Sequence, residues 1–175
     1  MKDNPSYIFE FRRSGGHFLV ESIKHNFKLD GDIFIEHNHP CRYPNFMKNA
    51  PMLFYLQRNI YDVLRSLYGD MWAGKRKPSH FKDWLRMGFV KAWMEHIDQW
   101  SKVSNVYHIT YEDLNENHIE TIRQLEEHFK LRRKYARIKR IKAYVGVSPQ
   151  SRNKAPDYDN DDINYIKQVL AKWQQ

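Results

Sequence analysis

Basic residues and glycines follow the first apolar run of the sequence, in an order that favours anion binding. Residues 7–11 are β-prone, residues 12–17 read RRSGGH, and a helical spacing of apolar residues begins at Phe18. Amides at such a strand-to-helix turn face an anion, while Arg13 and Ser14 add a positive charge and a hydroxyl group. This pattern indicates an anion-binding loop without the GK[ST] of a Walker A motif, and an ordinary glycine turn is the alternative.

A second pair of anion-binding residue types comes later in the chain. Arg58 follows residues 52–56, a near-continuous apolar run that is typical of a strand buried on both faces. Ser66 lies about two turns into the helical pattern that comes next. Arginine binds a phosphate through two parallel hydrogen bonds, and a serine hydroxyl can donate another. A surface arginine and a helix serine are the alternative for an isolated pair.

Two histidines follow a short strand pattern at residues 33–35. A histidine has a pKa near neutrality, so His37 or His39 could accept the proton of an attacking hydroxyl group. As metal ligands they have too few partners, because no cysteine cluster or HExxH motif accompanies them. We therefore expect no metal, and a solvated loop position is the alternative for whichever histidine is not the base.

Strand patterns alternate with helical patterns along the rest of the chain. A further strand is predicted at residues 106–110, and helices at 81–100, at 119–129, within the basic segment 130–142, and from about residue 161. This alternation predicts a three-layer α/β sandwich with a short parallel sheet, similar to P-loop kinases, in a single domain over residues 1–175. Ligands bind outside the carboxyl ends of such strands, where each loop described above begins.

Composition limits the class of protein. With 41% apolar and 15% aromatic residues the chain is globular and not disordered. No run approaches the roughly 18 apolar residues of a membrane helix, and charges in the first twenty residues argue against a signal peptide. Cys41 is the one cysteine, which excludes intrachain disulfides and cysteine-based zinc sites. We expect a reducing, cytoplasmic compartment.

The net charge of +8 comes from one segment. Residues 130–142 hold eight basic residues and no acidic one, and the rest of the chain holds 21 of each sign. Such a segment indicates a solvated helix face, a small anionic ligand or nucleic acid.

The order and spacing of these residues resemble the sulfotransferases that use 3′-phosphoadenosine 5′-phosphosulfate (PAPS). The family's 5′-phosphosulfate loop typically reads PKSGTTW, where this chain has RRSGGHF at residues 12–18. Its 3′-phosphate motif begins Arg-Asn-Pro and reaches a serine eight residues after the arginine, the spacing of Arg58 and Ser66. Residues 111–114 (YEDL) resemble a motif that follows a late strand of the family, and residues 96–100 (HIDQW) the helix end before it.

This resemblance implies sulfuryl transfer from PAPS to a hydroxyl or amine acceptor, leaving PAP, without a metal. His37 would be the catalytic base and Arg13 would stabilise the developing charge; His39 is the alternative base, because the family's proline directly follows it. The late basic loop of the family implies Arg152, or else Lys154, over the 3′-phosphate. The donor-binding residues implied in this chain are Arg12, Arg13, Ser14, Gly15, Gly16, His17, Phe18, Arg58, Ser66, Tyr111, Arg152 and Lys154.

The chain departs from the family pattern within the first loop. Arg13 replaces a lysine and can act only electrostatically, because it cannot give up a proton. Gly16 and His17 replace threonines, so a hydroxyl contact to the 5′-phosphate is lost. Phe18 replaces a tryptophan that stacks on adenine, which a phenyl ring can also do. The short chain implies an open acceptor site, and a sugar, phenol or peptide hydroxyl fits equally.

Two other functions compete with this interpretation. A P-loop-like kinase is disfavoured because the Walker lysine and a clear magnesium carboxylate are missing. A non-enzymatic nucleic-acid-binding domain would use the basic segment 130–142 but would not need phosphate-binding loops after two strands. We therefore favour PAPS and an acceptor molecule as the partners, with neither membrane nor nucleic acid.

Overall fold

The structure of the chain is a computed structural model that divides into two compact units. It describes residues 5–37, 40, 49–71, 81–142 and 157–173. The first unit comprises residues 1–58 and 103–145, and the second comprises residues 59–102 and 146–175. The prediction of a single domain concerns how the two units behave together, and it stays a prediction.

A four-stranded parallel sheet is the centre of the first unit. Its strands lie in the order β3 (Ile33–Glu36), β1 (Ser6–Glu10), β4 (Leu53–Gln57) and β5 (Tyr107–Thr110). Ile8 of β1 is in register with Ile35 on one side and Phe54 on the other, and Leu56 is in register with Ile109. Because every pairing is parallel, the carboxyl ends of the four strands lie along one edge of the sheet.

The part of the first unit that the structure describes also contains three helices: α1 (Gly16–Asn26), α5 (Tyr111–Glu116) and α6 (His118–Phe129). A two-stranded antiparallel pair, β2 (Phe27–Lys28) with β6 (Arg132–Arg133), accompanies them. Alternate residues of the strands face α1 and α6, as the period of two in a strand requires. The resulting core includes Ile8, Phe54, Leu56, Leu19, Ile23, Ile122 and Leu125.

In the described residues, the second unit contains helices α2 (Ile60–Met71), α3 (Phe81–Leu85), α4 (Phe89–Ser101) and α7 (Asn160–Trp173). Aromatic rings of Tyr68, Phe81, Trp84 and Phe89 pack against one another at centroid separations of 4.6–5.7 Å. The continuous helix predicted at residues 81–100 is interrupted between α3 and α4. Gly88 has a φ of +91° there, a left-handed conformation that glycine adopts without steric cost.

Residues 130–142 do not form the basic helix that the sequence predicts. Lys130 ends α6 in a left-handed conformation, with a φ of 53°. The buried Asn26 side chain donates to the main-chain oxygen of Lys139 at 3.1 Å and accepts from its N–H at 2.7 Å. The main-chain oxygen of Asn26 accepts from the N–H of Lys134 at 2.8 Å. The prediction was wrong because these distant main-chain hydrogen bonds outweigh local helix propensity.

Candidate functional site

The loop between β1 and α1 forms the strand-to-helix turn that residues 12–17 predict. The N–H of Ser14 donates to the main-chain oxygen of Phe11 at 3.1 Å, which closes a tight turn. Arg13 and Gly15 have φ values of 72° and 105°, both in the left-handed region. The N–H of Phe18 then donates to the main-chain oxygen of Gly15 at 2.9 Å. The first amides of α1 therefore lie beside the RRSGG residues, as an anion-binding loop requires.

Tyr111 covers this loop from the end of β5. Thr110 caps α5 by accepting a hydrogen bond from the N–H of Asp113 at 3.1 Å, and Tyr111 is the first residue of that helix. A Cβ atom at Gly15 would overlap the Tyr111 ring. Glycine is therefore required at position 15 for two reasons. Its backbone is left-handed, and the Tyr111 ring leaves no room for a side chain.

Arg58 joins the first loop to the tyrosine. Its Nη1 atom donates to the main-chain oxygen of Arg13 at 3.3 Å, and its guanidinium carbon lies 4.2 Å from the centre of the Tyr111 ring. The second contact is a cation–π interaction. Three motifs that are far apart in sequence thus meet at the carboxyl ends of β1, β4 and β5.

Glu10 is a buried carboxyl group directly beneath the loop. It is the last residue of β1, is 3% exposed, and accepts a hydrogen bond from the N–H of Gly16 at 2.6 Å. Burial raises the pKa of Glu10 to about 7, although the bond from Gly16 and the charges of Arg13 and Arg58 act in the opposite direction. The sequence analysis missed Glu10. An acidic residue that ends an apolar strand just before the loop is the signal that could have found it.

Gly16 is a glycine because its surroundings are filled. A Cβ atom there would lie 3.0 Å from the carboxyl carbon of Glu10 and 3.1 Å from Cγ2 of Ile35. The threonine that the family pattern places at this position would collide with both side chains unless they shifted. The departure from the pattern at Gly16 is therefore linked to the presence of Glu10.

His37 lies at the end of β3, next to Glu10. Its Nδ1 atom is 3.4 Å from the main-chain oxygen of Glu10 and 3.8 Å from Oε1 of the same residue, and 40% of its side chain is exposed. Burial of the remainder lowers the pKa of His37, and the hydrogen bond to the main chain of Glu10 partly opposes this shift. His37 is therefore mostly neutral at neutral pH. The alternative base, His39, lies outside the described residues.

The other residues of the first loop differ in their exposure. Arg12 and His17 are exposed. Ser14 is buried, and among the described residues its hydroxyl group has no hydrogen-bond partner. The ring of Phe18 is buried against Tyr111 and His118, with centroids 6.0 and 5.7 Å away. Phe18 therefore packs in the core of the first unit, beneath Tyr111.

The remaining predicted residues belong to other parts of the chain. Ser66 is half-buried on α2, in the second unit. The first turn of that helix is capped by Asn59, whose Oδ1 atom accepts from the N–H of Tyr61 at 2.9 Å. Arg152 and Lys154 lie outside the described residues.

No helix in the described ranges is long and apolar enough to cross a membrane. That same part of the chain holds no group of three or more histidine, cysteine, aspartate or glutamate side chains able to bind a metal ion. The cytoplasmic compartment stays a prediction.

Comparison with known proteins identifies the family of the chain. A family model described as the sulfotransferase domain matches residues 24–163, which include His37, Arg58, Ser66 and Tyr111 and begin after the first loop. No curated protein sequence matches the chain.

A solved structure supports the same conclusion for the fold. The crystal structure of mouse sulfotransferase SULT7A1 complexed with PAP is similar with a TM-score of 0.61 at 13% sequence identity. The match covers 95% of this chain and 63% of that chain, so this chain is similar to only part of that protein. The predicted α/β, P-loop-kinase-like fold is confirmed. Because the family model matches most of its length, the chain belongs to the sulfotransferase family.

Proposed function

We propose that this protein transfers a sulfuryl group from PAPS to a hydroxyl or amine acceptor and leaves PAP. The observation that carries the proposal is the meeting of Arg13, Arg58 and Tyr111 at the carboxyl ends of three parallel strands. Family membership and a fold shared with a sulfotransferase solved with PAP support it.

The residues of the first unit suit a donor with two anionic groups. Arg13, the Ser14 hydroxyl and those loop amides that do not already donate to Glu10 or Gly15 would hold the 5′-phosphosulfate. Ser14 would then gain the hydrogen-bond partner that its buried hydroxyl lacks among the described residues. Arg58 would bind the 3′-phosphate. Tyr111 would contact the adenine side, with Phe18 supporting its ring from below. For Ser66, which lies in the second unit, and for Arg152 and Lys154, which lie outside the described residues, a role at the 3′-phosphate stays a prediction from the sequence.

Proton removal from the acceptor falls to His37. The acceptor's O–H bond breaks as its proton passes to the neutral imidazole, and the acceptor oxygen forms a bond to sulfur while the bond from sulfur to the leaving phosphate breaks. Arg13 and the loop amides stabilise the charge that develops on that phosphate. The lowered pKa of His37 keeps the ring unprotonated near neutral pH, as a base requires.

The partners of this reaction are PAPS and an acceptor that is a sugar, a phenol, a peptide hydroxyl or an amine. Nucleic acid is not needed, and the basic segment 130–142 is not the basic helix on which a nucleic-acid-binding function would depend. We place the reaction in the cytoplasm.

The decisive experiment compares PAP with AMP, which lacks the 3′-phosphate. One charged hydrogen bond contributes roughly 1.5–3 kcal/mol, so we expect PAP to bind at least about tenfold more tightly than AMP. Isothermal calorimetry measures both affinities, and thermal unfolding with each ligand provides a second readout. Equal affinities would exclude a 3′-phosphate site and, with it, the use of PAPS. Transfer of labelled sulfate from PAPS to a panel of acceptors then tests the reaction itself.

A further inference from the structure

Glu10 contacts both halves of the proposed site, and the reaction described above does not use it. One carboxyl oxygen, Oε2, accepts the N–H of Gly16 at the start of the donor loop. The other, Oε1, lies 3.8 Å from Nδ1 of His37, and the main-chain oxygen of Glu10 lies 3.4 Å from the same atom. A single buried residue therefore connects the loop to the proposed base.

The contact at Nδ1 determines which nitrogen of His37 can act. The main-chain oxygen and Oε1 of Glu10 both lie near Nδ1, and both are acceptors. The neutral ring therefore carries its proton on Nδ1 and leaves Nε2 with a free lone pair. Nε2 is then the atom that can accept a proton. When it does so, the ring becomes an imidazolium, and a nearby carboxylate stabilises that charge.

We propose that Glu10 is a positioning residue, which orients His37 through Nδ1, stabilises its protonated form and holds the donor loop at a fixed distance from it. The inference rests on the proposed function. The acceptor's proton forms a bond to Nε2 of His37, the Nδ1 proton stays where it is, and Glu10 remains a carboxylate. No further reactant is required.

The surroundings of this pair control its titration. Burial raises the pKa of Glu10 to about 7 and lowers the pKa of His37 below its usual value. The active form has both groups deprotonated. The charged and titratable groups around the pair are Arg13, Arg58 and Tyr55 for Glu10 and Arg12, Glu36 and His17 for His37.

The test is Glu10→Gln, a substitution of nearly equal size whose amide oxygen can still accept the Gly16 N–H. We expect kcat to fall about 10- to 100-fold, while PAP binds as tightly as before or more tightly because a negative charge has left the loop. On the acid side of the pH–rate profile, the loss of activity should involve two protonation steps in the wild type and one in the variant. Nitrogen-15 NMR should show a lower pKa for His37 in the variant.

Two further variants make the result specific. His37→Ala gives the rate without the base. Glu36→Gln is the matched control, because Glu36 is a neighbouring carboxylate whose charge raises the pKa of His37. This substitution leaves Glu10 in place, so it should reduce kcat by less than threefold. An equal loss in Glu36→Gln, an unchanged kcat in Glu10→Gln, or a His37 pKa that does not respond to Glu10 would each overturn the proposal.

Failure of the proposed function gives a different result. In that case the wild-type protein binds no PAP and transfers no sulfate. Failure of the Glu10 inference instead leaves wild-type PAP binding and transfer intact, with Glu10→Gln turning over at the wild-type rate. A variant that loses PAP affinity together with kcat would also contradict the inference, because Glu10 would then only maintain the loop.

Discussion

The guanidinium group of Arg58 contacts both the first loop and Tyr111. The hydrogen bond to the main-chain oxygen of Arg13 uses one edge of the group, and the face of the group covers the Tyr111 ring. These contacts orient the side chain before any ligand arrives, which lowers the entropy cost of binding an anion. Lysine cannot reproduce this arrangement, since its ammonium group has neither a planar face nor a fork of donors.

We expect Arg58→Ala to weaken PAP binding by at least about tenfold, because it removes a bidentate charged contact. The PAP affinity of Arg58→Lys should lie between those of Arg58→Ala and the wild type. Arg137→Ala is the matched control, since Arg137 is an exposed arginine in the basic segment. Calorimetry on the three variants measures the effect, with thermal unfolding to confirm that each is folded. A larger loss in Arg137→Ala would place the anion site in the basic segment.

Single residues differ in how far the sequence reveals them. Arg58 and Tyr111 could be predicted because each belongs to a motif with fixed spacing, and parallel strands bring such motifs to one edge of a sheet. Glu10 belongs to no motif, and its importance comes from burial and from contacts to Gly16 and His37 that only the folded chain creates. The need for glycine at position 16 also arises from contacts in the folded chain, so it could not be predicted from the sequence.

At the scale of elements, the basic segment 130–142 shows where local patterns fail. Its composition is compatible with a helix, yet its main chain pairs with β2 and with Asn26. Arg133, one of its charges, forms two hydrogen bonds of 2.6 Å to Glu126. No local period encodes a bond to a residue more than a hundred positions away, so the sequence could not predict this conformation. The four strands of the parallel sheet and the helices α1, α6 and α7 were predicted correctly because their periods are local. The short strands β2 and β6 were not predicted.

We expect Asn26→Ala to destabilise the protein by roughly 1–3 kcal/mol, because main-chain groups of Ser22 and Lys139 lose their partners. Chemical denaturation measures this loss, and hydrogen exchange at the amide of Lys139 should become faster. Asn115→Ala, at an exposed position of α5, should change stability by less than about 0.5 kcal/mol. PAP affinity should stay unchanged in both variants, and a loss in Asn26→Ala would mean that the basic segment supports the donor site.

At the scale of the whole molecule, two buried groups change the stability of the fold in opposite directions as the pH changes. Burial raises the pKa of Glu10 from its usual 4.5 to about 7, so between these values the folded chain binds more protons than the unfolded one, and stability falls as pH rises. Burial, aided by the charges of Arg140 and His25, lowers the pKa of His118 from 6.5 to about 4, so in that window stability rises with pH. Between about pH 4.5 and 6.5 the two contributions cancel in the wild type.

Glu10→Gln should therefore reveal the rise that His118 causes. Relative to the wild type, this variant should gain stability as pH increases from about 4.5 to 7, by at most ~1.4 kcal/mol per pH unit. His118→Gln should show the opposite change: relative to the wild type, it should lose stability as pH increases from about 4 to 6.5. Urea denaturation at several pH values measures the difference, followed by far-UV circular dichroism for the whole chain.

The tryptophans give this experiment a second probe. The four tryptophans among the described residues lie in the second unit, whereas Glu10 and His118 lie in the first. If the two units unfold as one domain, tryptophan emission and ellipticity must report the same transition, and the pH-dependent shift caused by Glu10→Gln must appear in both. A shift seen by ellipticity alone would show that the units unfold separately and would contradict the single domain predicted from the sequence. A difference between variant and wild type that does not change with pH would contradict the raised pKa of Glu10, since only a group whose pKa changes on folding makes stability depend on pH.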